Sequence, residues 1–401
     1  MTPDVDGLIQ RWGLPGLPAS QVLFVTGAGI SSPPPTAFPL GNPLHRLLIS
    51  NFSSLTQGEI CALLSLNTWT FEQSCDVIFE EYQVWQPDAD VNWFWNLLSE
   101  IFIYRPGVAW MQPNDFHAYF RRHIELGGRH FTANLDQFIE LNSMPYNNVL
   151  TTGMLESTDV PLNVANVVNE PKLYKFHGDC NVDAVHLQGV LHHVIRDGFQ
   201  ANTRRYWFGV LRSVKLVCVC GYGGFDSFDV NRYFEGLGPM HFQAKAVWIK
   251  YAPNTQLEIV PDSQLNPAAS MILSRFSESA VLKGEPDELL NALFPGSAPH
   301  VRRYPPGPHA PQYNDIFQVN IQAARRIPGF QGCLDNITRR LRDTVHKLYV
   351  LTPAEHEEAR RIAYGMAEIR GGGKLPPYDA TAASDDFCRA AGQVIANRTC
   401  P

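Results

Sequence analysis

Hydrophobic positions along this chain fall into two kinds of run. Short, nearly unbroken apolar or β-branched runs occur at 22–26 (VLFVT), 129–133 (RHFTA), 173–176 (LYKF), 214–220 (VKLVCVC), 245–250 (KAVWIK) and 278–282 (ESAVL). Hydrophobicity that is continuous rather than alternating predicts strands covered on both faces, the pattern of a parallel sheet in an α/β protein. Between the first two runs, residues 45–127 carry FEQSCDVIFEEY, VNWFWNLLSEIF and NDFHAYFRRHIELGG, rich in Trp, Phe and Leu at helical spacing with few breakers. They predict a helical insertion after the first strand, with Asp76 and Glu80 on its solvated face. The expected fold is α/β, a Rossmann-like parallel sheet with helices on both faces, occupying residues 1–295.

The pattern changes after the last strand. FPGSAPHVRRYPPGPHAPQY (294–313) carries six prolines, so residues 296–313 should form an extended, semi-rigid linker. Residues 314–401 then read as amphipathic helices without catalytic spacing, a C-terminal helical appendage. Such an appendage behind a stiff spacer is more often an assembly element than a second active site, which points to a homo-oligomer.

Composition narrows the class. The chain has 401 residues, 45% hydrophobic and 18% charged, enough for a full globular core. A formal net charge of −7 argues against direct nucleic-acid binding. The start, MTPDVDGLIQRWG, has acids where a signal peptide needs bases, and no run of eighteen apolar residues occurs. The expectation is a soluble cytoplasmic protein without a membrane partner. The eight cysteines form no C-x-x-C pair, so no zinc site is expected, and Cys218 and Cys220 read as core residues on one strand face.

Candidate chemistry sits where the strands end, because ligands of open α/β sheets bind at the carboxyl ends of strands. The first strand runs into GAGIS (27–31), a glycine turn of the kind that lets backbone N–H groups approach a pyrophosphate. It lacks the third glycine of G-x-G-x-x-G, where Ser32 stands, and no acidic residue occurs between Gly27 and Glu59. Pro33, Pro34 and Pro35 lack N–H groups, so phosphate-facing donors would come only from Gly27 to Ser32. A tight strand-to-loop turn accounts for this segment equally well. The other ends are TANLD (132–136), FHGD (176–179) and GYGGFDSFD (221–229). Four polar or glycine-rich ends converging on one sheet edge are harder to ascribe to coincidence.

Taken in order, these motifs resemble the sirtuin (silent-information-regulator) superfamily over about residues 15–295. GAGIS is similar to its NAD-binding loop, TANLD to its T-x-N-x-D motif, KFHG (175–178) to its K-x-H-G segment, and GYGGFDSFD to the G-Y-S-G-x-D-x-F-D segment of its bacterial defence branch. The chain departs from protein-deacylating members in having TAFPLGNPL where they carry G-I-P-D-F-R, and only Cys180 where they carry two C-x-x-C pairs. It therefore resembles the NAD-hydrolysing branch of bacterial anti-phage systems, and within it the subunit that works with a HerA-type ATPase.

That resemblance implies hydrolysis of NAD, the substrate, to ADP-ribose and nicotinamide, with no zinc. Protein deacylation and a non-catalytic NAD-binding or scaffold role stand as alternatives. Gly27, Ala28, Gly29, Ile30 and Ser31 would hold the dinucleotide, with Gly221, Tyr222, Gly223 and Asp226 at its adenosine half; Asp226 serves equally well as a helix N-cap. Asn134 would position a ribose hydroxyl and a water through its two-sided amide. Asp136 would fix that amide or the water, or else stabilise the turn. His177 would be the general base, imidazole titrating near neutrality.

Overall fold

The computed structural model describes residues 5–33, 36, 38, 41–65, 71–86, 100, 102, 112–140, 148–156, 164–179, 201–224, 231, 242–293, 310–348, 355 and 358. Contacts divide the chain into two compact units, Met1–Leu40 with Trp95–Pro311, and Gly41–Phe94 with Gln312–Pro401.

The first unit is built on one eight-stranded sheet: β1 (Val22–Thr26), β2 (Arg129–Thr132), β3 (Val149–Thr151), β4 (Leu173–Lys175), β5 (Leu216–Cys220), β6 (Phe242–Tyr251), β7 (Glu258–Val260) and β8 (Phe276–Gly284). Their order is β3-β4-β2-β1-β5-β6-β8-β7, and all pairs are parallel except β7 with β8. Every residue of β1, β2 and β5 is buried, which is why these segments read as continuous apolar runs. Successive side chains of β1 go to opposite faces. Leu23 and Val25 join a core with Tyr206, Trp207 and Val210 of helix Ala201–Ser213 and Ile272 of helix Pro267–Leu273. Val22 and Phe24 join one with Leu8 and Ile9 of helix Val5–Trp12, Tyr119 and Phe120 of helix Asp115–Glu125, and Leu289 and Leu290 of helix Asp287–Leu293. The fold is thus α/β and Rossmann-like, with helices on both faces. Cys218 and Cys220 are buried together in the second of these cores.

β1 sits where the chain reverses its direction of winding. β2, β4 and β3 lie to one side of it and β5, β6 and β8 to the other. Such a switch point leaves a crevice at the carboxyl ends of the strands. Lys175, Thr132, Thr26 and Cys220, the last residues of β4, β2, β1 and β5, stand in register across the sheet. The loops that follow them therefore leave from one edge.

The second unit joins segments distant in sequence. Helices Gly41–Phe52, Gln57–Ser65 and Phe71–Trp85 come from the insertion, and Phe330–Leu348 from the C-terminal region. The last helix buries Phe330, Leu334, Ile337, Leu341 and Val345, a spacing of three or four that makes one apolar stripe. Arg340 pairs with Glu80 at 2.7 Å and Glu81 at 3.1 Å, and Arg342 with Glu59 at 2.6 Å. Trp85 donates from Nε1 to the Pro328 carbonyl at 3.0 Å, and its ring lies 5.1 Å from that of Phe330. Residues 296–309 of the proline-rich linker, and the chain beyond 348 apart from 355 and 358, lie outside the described residues.

Candidate functional site at the carboxyl edge of the sheet

The loops after β1 and β5 are interlocked. Gly29 N–H donates to the Gly221 carbonyl at 2.8 Å, Gly27 N–H to the Cys220 carbonyl at 3.4 Å, and Ile30 N–H to the Gly27 carbonyl at 3.1 Å. A Cβ on Gly29 would stand 2.6 Å from the Gly221 oxygen. Gly221 has φ of 64°, in the left-handed region that favours glycine. The close approach that these glycines permit is, within the chain, of one loop to the other. It commits the Gly27, Gly29 and Ile30 amides to backbone partners, while Ala28 stays exposed at the turn. The β5 loop is braced further: Tyr222 donates through its hydroxyl to Asn231 Oδ1 at 3.0 Å, and Asn231 and Asn266 donate to the Gly224 and Gly223 carbonyls. Asp226 lies outside the described residues.

Ser31, Asn134 and Asp136 meet as one buried cluster. Ser31 donates to Asp136 Oδ2 at 2.7 Å, and Asn134 Nδ2 donates to the same oxygen at 3.1 Å and to Ser31 Oγ at 3.2 Å. Phe138 N–H donates to Asp136 Oδ1 at 3.3 Å. Burial raises the Asp136 pKa, and the hydrogen bonds from Ser31, Asn134 and Phe138 and the nearby Lys175 ammonium act against that rise. Among the described residues, the hydrogen bonds to the carboxylate all come from the chain's own groups, and they both hold the Asn134 amide and brace the turn at Phe138.

The amide itself is satisfied on one side only. Asn134 Oδ1 is buried and has no hydrogen-bond partner among the described residues, although a buried acceptor left unmade costs about 1–3 kcal/mol. The Asn134 N–H donates to Thr132 Oγ1 at 3.1 Å, which also accepts from Thr26 at 3.0 Å, tying the loop to the ends of β1 and β2.

Beneath the loops lies a charged cluster the sequence did not single out. The Lys175 ammonium, fully buried, donates to Glu140 Oε1 at 2.6 Å, Asp179 Oδ2 at 2.8 Å, and the carbonyls of Asp136 at 2.9 Å and Leu135 at 3.3 Å. Burial pushes Glu140 up to about 7. One cation therefore joins the loop after β2, which carries Asn134, to the loop after β4, which carries His177. His177 itself is half-buried at the carboxyl end of β4, followed by Gly178 with φ of 85°.

A second unforeseen member is His117, in the first turn of helix Asp115–Glu125, whose Nε2 lies 3.0 Å from Ser31 Oγ. The signal was local: N-D-F-H at 114–117 has the spacing of a capping box. Among the described residues no group of three or more potential metal ligands occurs, and no helix is long and apolar enough to cross a membrane. No protein-family model matches this sequence and no curated protein matches it, so the candidate site stands on this geometry and on the order of its motifs.

Proposed function

We propose that this chain hydrolyses NAD to ADP-ribose and nicotinamide at the carboxyl edge of its sheet. The observation that carries the reading is the Asn134 carboxamide, held by its NH₂ against Ser31 and Asp136, with a buried Oδ1 that has no partner among the described residues. An acceptor so placed, beside the glycine loop at the switch point, suits a hydroxyl-bearing substrate such as a ribose.

The chemistry asks little of the protein beyond placement. The C–N bond to the nicotinamide ring breaks with its electron pair going to the ring, which leaves neutral and needs no proton. Water forms the new bond to the ribosyl carbon, and its proton must go elsewhere. Asn134 Oδ1 accepts from a ribose hydroxyl or from that water and holds it in line. His177, half-buried at the neighbouring strand end, takes the proton and passes it to solvent. Asp136 acts through Asn134. By its resemblance the chain would serve as an NAD-depleting effector of anti-phage defence, as an oligomer and with a HerA-type ATPase.

The test is incubation of the purified full chain with NAD, alone and with an acyl-lysine peptide, followed by chromatography of the products. Nicotinamide and ADP-ribose without peptide are expected. Turnover only with peptide would mark a deacylase, and no turnover in any assembly a binding or scaffold protein.

A further inference from the structure

The buried cluster has a direction, and His117 sets it. The Asn114 backbone N–H donates to His117 Nδ1 at 3.1 Å while Asn114 Oδ1 accepts from the His117 backbone N–H at 3.4 Å, a capping box at the start of helix Asp115–Glu125. A nitrogen that accepts carries no proton, so the neutral imidazole bears its hydrogen on Nε2, toward Ser31. Burial keeps the ring neutral, holding its pKa down to about 3. Ser31 Oγ then accepts from His117 at 3.0 Å and from Asn134 Nδ2 at 3.2 Å, which fills both lone pairs, and its single proton goes to Asp136 at 2.7 Å. With Ser31 filled and Asp136 accepting, only the NH₂ side of the Asn134 amide can face them. Its oxygen must point the other way.

We infer that His117 is a positioning residue: by donating to Ser31 it fixes the polarity of the Ser31–Asp136–Asn134 chain and so presents Asn134 as a hydrogen-bond acceptor to a hydroxyl-bearing substrate. The inference rests on the reading of Asn134 given above. If the ring accepted instead, the Ser31 proton would turn to it, Asp136 would lose its shortest donor at 2.7 Å, and the carboxylate that holds the Asn134 NH₂ would itself be less firmly held.

Two substitutions separate this role from helix capping. Glutamine and glutamate both serve at this third helical position of a capping box, because each offers an oxygen to the Asn114 N–H. Gln also keeps an NH₂ to donate to Ser31, whereas Glu has no donor and puts a second carboxylate beside Asp136. His117→Gln should keep kcat for NAD hydrolysis within about threefold, and His117→Glu should lower kcat by about 10²-fold, the scale of a small misplacement of a reacting group. Ser31→Ala, which breaks the link without adding charge, should lower kcat with little change in KM, and it carries the test if His117→Glu does not fold. Imidazole ¹⁵N spectra of histidine-labelled wild type should show Nδ1 bare and Nε2 protonated in His117. A proton on Nδ1, or full activity in His117→Glu beside an inactive Asn134→Ala, would overturn the inference and leave the site reading standing. Full activity in Asn134→Ala would overturn both.

Discussion

Replacing Lys175 by methionine removes a buried cation and leaves Glu140 and Asp179 without the ammonium that both of them contact. The ammonium is fully buried, and the two carboxylates are 7% and 2% exposed. Methionine fills nearly the same volume, so the effect is electrostatic rather than a cavity. Taking one partner from a buried ion pair costs about 3–5 kcal/mol, because the remaining charge is stranded. Against a typical stability of about 5–15 kcal/mol this is a large fraction. Urea unfolding followed by near-UV circular dichroism should show the midpoint falling sharply at pH 7.5. The loss should shrink as the pH is lowered toward 5, where protonation neutralises the stranded carboxylates, and Lys175→Met combined with Glu140→Gln should be more stable than Lys175→Met alone. Turnover should fall as well, since Lys175 also holds the Leu135 and Asp136 carbonyls beside Asn134. A loss under about 1 kcal/mol at pH 7.5, independent of pH, would refute the assignment of Lys175 as the clamp between these loops.

Three further outcomes are expected. His177→Ala should keep the fold and NAD binding while lowering turnover by about 10²–10⁴-fold, and pairing it with Asn134→Ala should be little worse than the poorer single variant, because the two serve one transition state; NAD consumption with parallel melting curves checks this. Gly29→Ala and Gly221→Ala should each lower the melting temperature and abolish NAD binding, since the added Cβ would stand 2.6 Å from the Gly221 oxygen in the first and 2.5 Å from Ile30 N in the second; wild-type binding by either would show that the interlocked loops are dispensable. Stability should fall as the pH drops below 6.5, because burial lowers His45 and His123 to about 4, His117 to about 3 and His130 well below 6.5. The unfolded chain therefore takes up these protons first, at up to about 1.4 kcal/mol per pH unit for each. Glu140 and Asp136, raised by burial, act in the opposite sense but are fewer, so urea midpoints should decline from pH 6.5 to 4.5; a flat or rising series would contradict the buried neutral histidines.

The sheet was legible because its central strands are buried on both faces and so leave continuous apolar runs. β3 and β7, VLT and EIV, are three residues each and lie at the two edges of the sheet, outside the apolar runs of its centre. β6 and β8 begin before the apolar runs at 245–250 and 278–282, because exposed polar residues such as Gln243 and Ser277 interrupt the pattern near their starts. Ser31, Asn134 and Asp136 could be picked out because each follows a strand whose end the fold brings to one edge. Glycine at 27, 29 and 221 signalled close approach, but not to what; in the structure the loops approach each other. His117 and Glu140 carried no such mark. Their chemistry depends on meeting Ser31, 86 residues away in the chain, and Lys175, 35 away, across a fold that spacing alone does not specify.

Side-by-side time courses of NAD consumption by the full-length wild type and Asn134→Ala, with nicotinamide and ADP-ribose measured in the same samples, bear most directly on the central claim. The two products should appear in equal amounts from wild type, and Asn134→Ala, folded to the same melting temperature, should be slower by at least about 10²-fold. Equal rates in the two proteins, or no NAD consumption by wild type in any assembled form, would contradict it.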